Sequence, residues 1–222
     1  MNYLSHAAAF LDDPALATGA VLPDLLSAID RKCRVRKRHV DRVLAEDDLP
    51  PDQRPIIRGL AEHLDDDHWF HGTEAFLTTS SATARLLRVA MPGDQTHRVG
   101  FLGHILVELF LDAWIEKRRP GTVGRFYAAF GSVDPAAAEA AVNRCASRPT
   151  DRLAGFWGRF AEERFLADYV TDEGLFKRVN HVLKRVGLPP LGDDLRKTLA
   201  EARGVTESRA SDLLPGRVVR LL

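Results

Sequence analysis

The segment Phe101–Ile115, FLGHILVELFLDAWI, is apolar nearly all the way round a helical wheel. A helix of that kind is not stable on a surface and has to be enclosed by other elements. At fifteen residues it is short for a membrane span, which takes about 20. Its three ionisable residues, His104, Glu108 and Asp112, recur at i, i+4 and i+8 along one flank. Burying unpaired carboxylates is costly, and Glu108 and Asp112 repel each other at that spacing. A bound divalent cation answers both problems. A hydrogen-bond network to Arg, Ser or backbone groups is the alternative.

A second stretch, Gly59–Phe76, repeats the pattern. His63, Asp67 and His71 also fall at i, i+4 and i+8, drifting about 40° per step round a helix. Two imidazoles and a carboxylate beside Leu60 and Phe70 are metal-ligand types set one turn apart. The plainer reading is a surface face on which Asp67 pairs with protonated histidines. The two stretches together favour a metal site.

Nothing in the chain alternates with period two for long, so the fold class predicted is all-α, a single-domain multi-helix bundle of nine to eleven helices. The 222 residues suffice for one real core. Residues 1–120 are expected to supply the metal-site helices, and residues 121–222 supporting helices and a C-terminal tail. The aromatic run Leu153, Phe156, Trp157, Phe160 reads as core first and as a pocket wall second. Lys plus Arg and Asp plus Glu number 31 each, so no global basic field argues for nucleic acid or an anionic membrane. Cys33 and Cys145 look like reduced thiols, and the N-terminus lacks the basic leader of a signal peptide. A cytoplasmic protein is the expectation.

Two further residues join the candidates. His6 sits inside the short apolar run Asn2–Leu11, where a lone histidine is more often a satisfied core residue than a ligand. Asp24 follows Pro23 at a predicted helix start, where the macrodipole favours a carboxylate. It reads equally as a ligand beside an apolar wall. The most basic stretch, Asp30–Arg42, is a solvated face or a docking surface for a phosphate-bearing or acidic partner. It lacks aromatics, so it offers no stacking platform for single-stranded nucleic acid.

The set His6, Asp24, His63, Asp67, His71, His104, Glu108 and Asp112 mixes imidazole with carboxylate, which fits Mn, Fe or Zn. Eight groups exceed one six-coordinate ion, so either two metals bind or some groups act in catalysis. Two ions would clamp a phosphoryl group, which makes phosphoester hydrolysis the economical reaction. His63, Asp67, His104 and Glu108 are the expected ligands. Asp24 is a ligand or the group that orients the attacking water. His6 and His71 are further ligands or acid–base groups, and Asp112 supports the ligands. No GxSxG elbow, Walker loop or GxGxxG fingerprint is present.

The motifs MNYLSHAAAF, GAVLPDLL, GLAEHLDDDHWFH and GHILVELFLD, in that order over the first 120 residues or so, resemble the bacterial acyl carrier protein phosphodiesterase family. That family belongs with the HD-type metal-dependent phosphohydrolases. The resemblance implies a phosphodiesterase that removes phosphopantetheine from holo acyl carrier protein with a divalent metal such as manganese. It implies active-site positions at His6, Asp24, His63 and Asp67, with His104 and Glu108 at the family's acidic pair. His71 and His104 stand where the family carries aspartates, and Asp67-His68 reverses the His-Asp order. GAVLPD also resembles a motif of zinc-dependent phospholipase C-like proteins. If the substrate is acyl carrier protein, which is acidic, Arg31–Arg42 is the natural docking surface. The rival expectation is a non-catalytic helical binding protein that keeps the cluster as a structural metal site or a buried polar network.

Overall fold

Asp-Pro pairs start two of the helices. Asp13 accepts from the Leu16 N–H and Asp134 from the Ala136 N–H, both at 3.1 Å, with Pro14 and Pro135 supplying first-turn residues that need no N–H partner. The computed structural model describes residues 1–221, and no named strand occurs among them. In chain order the α-helices are α1 Tyr3–Ala7, α2 Pro14–Gly19, α3 Leu22–Ile29, α4 Lys37–Leu44, α5 Arg54–Gly72, α6 Glu74–Ala90 and α7 Val99–Arg118. They continue with α8 Thr122–Gly131, α9 Pro135–Cys145, α10 Leu153–Glu163, α11 Asp172–Arg185, α12 Arg196–Glu207, α13 Ala210–Leu213 and α14 Gly216–Val219. The all-α expectation holds. The fourteen helices among the described residues exceed the nine to eleven predicted. Four of them, α1, α2, α13 and α14, are only four to six residues long. The apolar spacing over Asn2–Leu11 predicts one short first helix, and the chain forms α1 followed by a 3-10 turn, Ala8–Phe10. None of the helices is long and apolar enough to cross a membrane.

The chain forms two compact units, each built from separated stretches. The first comprises Met1–Trp69 and Gly121–Arg164, with Leu221; the second comprises Phe70–Pro120 and Phe165–Arg220.

In the first unit the predicted aromatic core is present. Phe130 stacks on Trp157 at 4.0 Å, and Phe160 touches Tyr3, Phe126, Tyr127 and Phe130. All six rings are buried, so Trp157 and Phe160 of the run serve the core, while Phe156 is half-buried. Two glycines let α2 and α5 cross backbone to backbone. A Cβ on Gly19 would lie 2.0 Å from the Ile56 carbonyl oxygen, and one on Gly59 would lie 2.3 Å from that of Leu16. Cys33 and Cys145 are free and buried, with both thiols pushed up to about 11 by burial, which leaves them unreactive.

In the second unit α7 is enclosed by α6, α12 and the 3-10 segment Phe165–Val170. Gly103 admits the α6 backbone, since a Cβ there would meet the Ser80 oxygen at 2.6 Å. Arg203 is the unit's buried cation. Its Nε donates to Asp172 Oδ1 at 2.9 Å, its Nη2 to the Tyr169 carbonyl at 3.1 Å, and its guanidinium lies over Phe110. Arg203→Ala strips a buried carbonyl of its donor and removes packing from Phe110. It is expected to cost about 3 kcal/mol, read as a lower urea midpoint at unchanged slope.

Candidate metal centre

Among the described residues each unit holds one triad of side chains that could ligate a metal ion. In the first these are His6, Asp24 and His63, and in the second His71, His104 and Glu108; within each triad the donor atoms lie within 4.8 Å of one another.

The first triad draws on three helices. His6 comes from α1, Asp24 from the first turn of α3 beside Pro23, and His63 from α5. The Gly19–Gly59 crossing brings the Ala20 carbonyl against His63, whose Nδ1 donates to it at 2.9 Å. That bond fixes the tautomer and leaves the Nε2 lone pair facing the cluster, the usual arrangement of a metal-binding imidazole. The His6 ring stacks on His63 at 4.0 Å. His6 is fully buried, and neither of its ring nitrogens makes a well-aligned hydrogen bond. They lie 3.5 Å from Asp66 Oδ2 and 3.4 Å from Asp67 Oδ1. Asp67 Oδ1 also accepts from the Met1 α-ammonium at 2.8 Å, and Asp67 Oδ2 is 3.6 Å from His63 Nε2.

Charge in this cluster is unevenly shared. Burial opposes ionisation of His6, but the Asp66 and Asp67 carboxylates overcome it and push the group up to about 9. Burial and the neighbouring His6 charge hold His63 down to about 3. Asp67 is also desolvated, yet His6 and the α-ammonium hold it well below the usual carboxylate range. A pH profile of the metal-free protein follows. The His6 contribution to stability is full below its ordinary 6.5 and is lost as pH rises through about 9. The His63 contribution is present above 6.5 and is lost as pH falls toward about 3. Asp67 withdraws its contribution only in strong acid. Stability is therefore expected to peak near pH 6.5, and urea midpoints of metal-free protein from about pH 4 to about pH 9.5 check it.

The second triad is set by the end of α5. The sequence pattern carries a helix on past Gly72, but Thr73 interrupts it. Its hydroxyl accepts from the Phe76 N–H at 3.2 Å and donates to the Phe70 carbonyl at 2.8 Å, closing α5 and opening α6. His71 thus sits in a last turn. His71 Nε2 and His104 Nε2 both lie 3.1 Å from Glu108 Oε1. The two imidazoles stack at 4.8 Å, and Phe76 meets both edge-on. The side chains of His71, His104 and Glu108 are 33%, 42% and 16% exposed, which leaves an approach for a further ligand. Burial raises the Glu108 pKa, but opposing positive charge, the α-ammonium first and then the His104 and His71 bonds, holds the carboxyl below its ordinary range.

Both donor sets suit a divalent Mn, Fe or Zn ion: two nitrogens and an oxygen converge in each, and the first contains buried ring nitrogens without aligned partners.

The structure groups the sequence candidates in its own way. The expected quartet His63, Asp67, His104 and Glu108 divides between the units. His63 joins His6 and Asp24, while His104 and Glu108 join His71, so the residues assigned acid–base roles complete the triads. The i, i+4, i+8 pattern on α5 explains the division. Two steps of drift total about 80°, so Asp67 turns toward His6 while His71 turns toward Glu108. Asp112 is buried on α7 and lies outside both triads. Asp66 escaped the sequence reading. It lies about 60° from His63 on the wheel, on the Phe70 side, and its burial against His6 was the signal within Asp65-Asp66-Asp67.

Comparison with family models, with curated proteins and with solved structures returns no match.

Proposed function

We propose that the protein is a metal-dependent phosphohydrolase with HD-like architecture, acting as a phosphodiesterase on the phosphopantetheine linkage of holo acyl carrier protein. The observation that carries the metal reading is the Nδ1–H of His63 on the Ala20 carbonyl, which presents Nε2 beside His6 and Asp24. The substrate rests on the resemblance of the four sequence motifs.

His6, Asp24 and His63 would hold one ion, and His71, His104 and Glu108 are a second set of ligands. A divalent ion supplies Lewis-acid polarisation of a phosphoryl oxygen and lowers the pKa of water. The protein's own groups do the rest. Asp67 holds the His6 ring, Ala20 holds that of His63, and the Asp24 carboxylate is placed to ligate or to orient water. The acidic carrier would approach through the exposed cations of Arg31–Arg42.

A specific observation favours a second reading. Protonated His6 between Asp66 and Asp67 balances charge without any metal, as a binding protein with a buried polar network requires. One experiment separates the two. Tag-free protein is assayed for metal by mass spectrometry and for release of phosphopantetheine from holo acyl carrier protein. Stoichiometric Mn, Fe or Zn with turnover is expected. Protein that stays metal-free after loading with Mn and Zn would leave the polar network as the correct account.

A further inference from the structure

The basic stretch read from the sequence has a partner segment that the sequence does not reveal. An antiparallel bridge joins Val35 to Ala146, and the Ser147 N–H donates to the Arg34 carbonyl at 3.0 Å. Arg152 Nη1 donates to the Ile29 carbonyl at 3.1 Å. The loop leading to α10 is pinned by Asn143, which exchanges two 2.8 Å bonds with the Thr150 backbone. Together these contacts form a groove of about 740 Å³ in the first unit, lined by Arg31 and Lys32 from the first segment and by Arg148 and Arg152 from the second. None of its lining residues belongs to either triad.

All four cations are exposed, and among the described residues none has a carboxylate within ion-pair distance. Elsewhere in the same unit Lys37, Arg125 and Arg144 are each paired with an acid. Two carboxylates line the groove, Asp30 and Asp151; Asp30 already accepts from the Lys32 N–H at 3.1 Å and its charge interacts with Arg152 beyond ion-pair distance. Four cations against two acids leave the groove with a formal excess of two positive charges. Like charges gathered on the walls of a concavity repel one another unless an anion enters, and low-dielectric walls strengthen its attraction. The volume falls in the range of small-molecule sites, about 300–1000 Å³, and a concavity suits a compact ligand better than a flat partner face.

We propose that this groove is a binding site for a small phosphorylated anion, separate in its residues from the metal-ligand triads, although Arg31 and Lys32 also belong to the stretch assigned to carrier docking. Guanidinium groups lining one groove are suited to bidentate contact with phosphate oxygens, and Lys32 adds a point charge.

The test is calorimetric titration of inorganic pyrophosphate into chelator-treated, metal-free full-length protein, with sulfate at matched ionic strength as the comparison. Saturable binding of pyrophosphate, weakening as salt rises, is expected. Arg31→Glu/Arg148→Glu is expected to weaken it at least about tenfold. Neither side chain makes an ion pair, so the variant should melt near the wild type; Lys32→Ala/Arg148→Ala is a milder second variant with the same expected direction. Arg85→Glu/Arg88→Glu on α6, which changes net charge equally, is expected to leave binding unchanged. The proposal is overturned by absence of saturable binding, by equal affinity for sulfate, or by equal loss in the α6 variant. It is also overturned if both groove variants bind as the wild type does, or if His63→Ala abolishes binding.

Discussion

Under the proposed phosphodiesterase function, replacing His63 by alanine is expected to empty the first triad of metal and to lower turnover at least about 1000-fold, or about 4 kcal/mol of transition-state stabilisation. The size follows from geometry. His63 is the one member of its triad whose tautomer is fixed by a 2.9 Å bond to a buried carbonyl, so its Nε2 is the best prepared ligand. The same substitution leaves the Ala20 carbonyl without its donor, at about 1–3 kcal/mol, so some loss of stability accompanies the loss of metal. His63→Asn separates the two effects. Its amide can still donate toward Ala20 but supplies no imidazole, so it should recover stability without recovering metal. Metal content by mass spectrometry, initial rates on holo acyl carrier protein and urea midpoints are measured on all three proteins. Wild-type metal and turnover in His63→Ala would remove this triad from the reaction.

The second large effect is architectural. Gly59→Leu is expected to destabilise the protein by about 3 kcal/mol or more, lowering the melting temperature by about 6–12 °C. Any Cβ at residue 59 would meet the Leu16 carbonyl oxygen at 2.3 Å and the Ala20 nitrogen at 2.6 Å, and both are backbone atoms that cannot rotate away. Helix α2 must then move off α5, and the Ala20 carbonyl moves with it away from His63. Even Gly59→Ala should therefore reduce metal retention, although alanine is the better helix former by about 1 kcal/mol in open settings. A Gly59→Ala protein as stable as the wild type, with full metal, would show that this crossing does not set the site.

Much of the architecture was legible in the chain. The all-round apolarity of the segment around Leu106 and Phe110 required an enclosed helix, and both residues are buried in α7. Pro23 and Asp24 marked the start of α3, and Asp134-Pro135 that of α9. The ligand types were legible too, because buried histidines and carboxylates among apolar neighbours require partners. The His104–Glu108 pair was visible as an i, i+4 spacing on one helix, and it forms at 3.1 Å.

Other features lay beyond one-dimensional reading. Periodicity assigns a residue to a face of its own helix and is silent on which distant segment meets that face. His6 was therefore a ligand or acid–base candidate with no partner assigned until α1 was seen to set it on His63, and Asp66 passed as one of three consecutive acids until it was seen against His6. The basic run Arg31–Arg42 was plain, whereas Arg148 and Arg152 joined it only through the Val35–Ala146 bridge. The sequence by itself determined the helical class, the buried helix and the histidine and carboxylate residues that could hold a metal, because these follow from local patterns of polarity and spacing. Only the tertiary structure decided the membership of each triad, through the Gly19–Gly59 crossing and the Thr73 cap, since side chains tens of residues apart meet where backbone packing brings them.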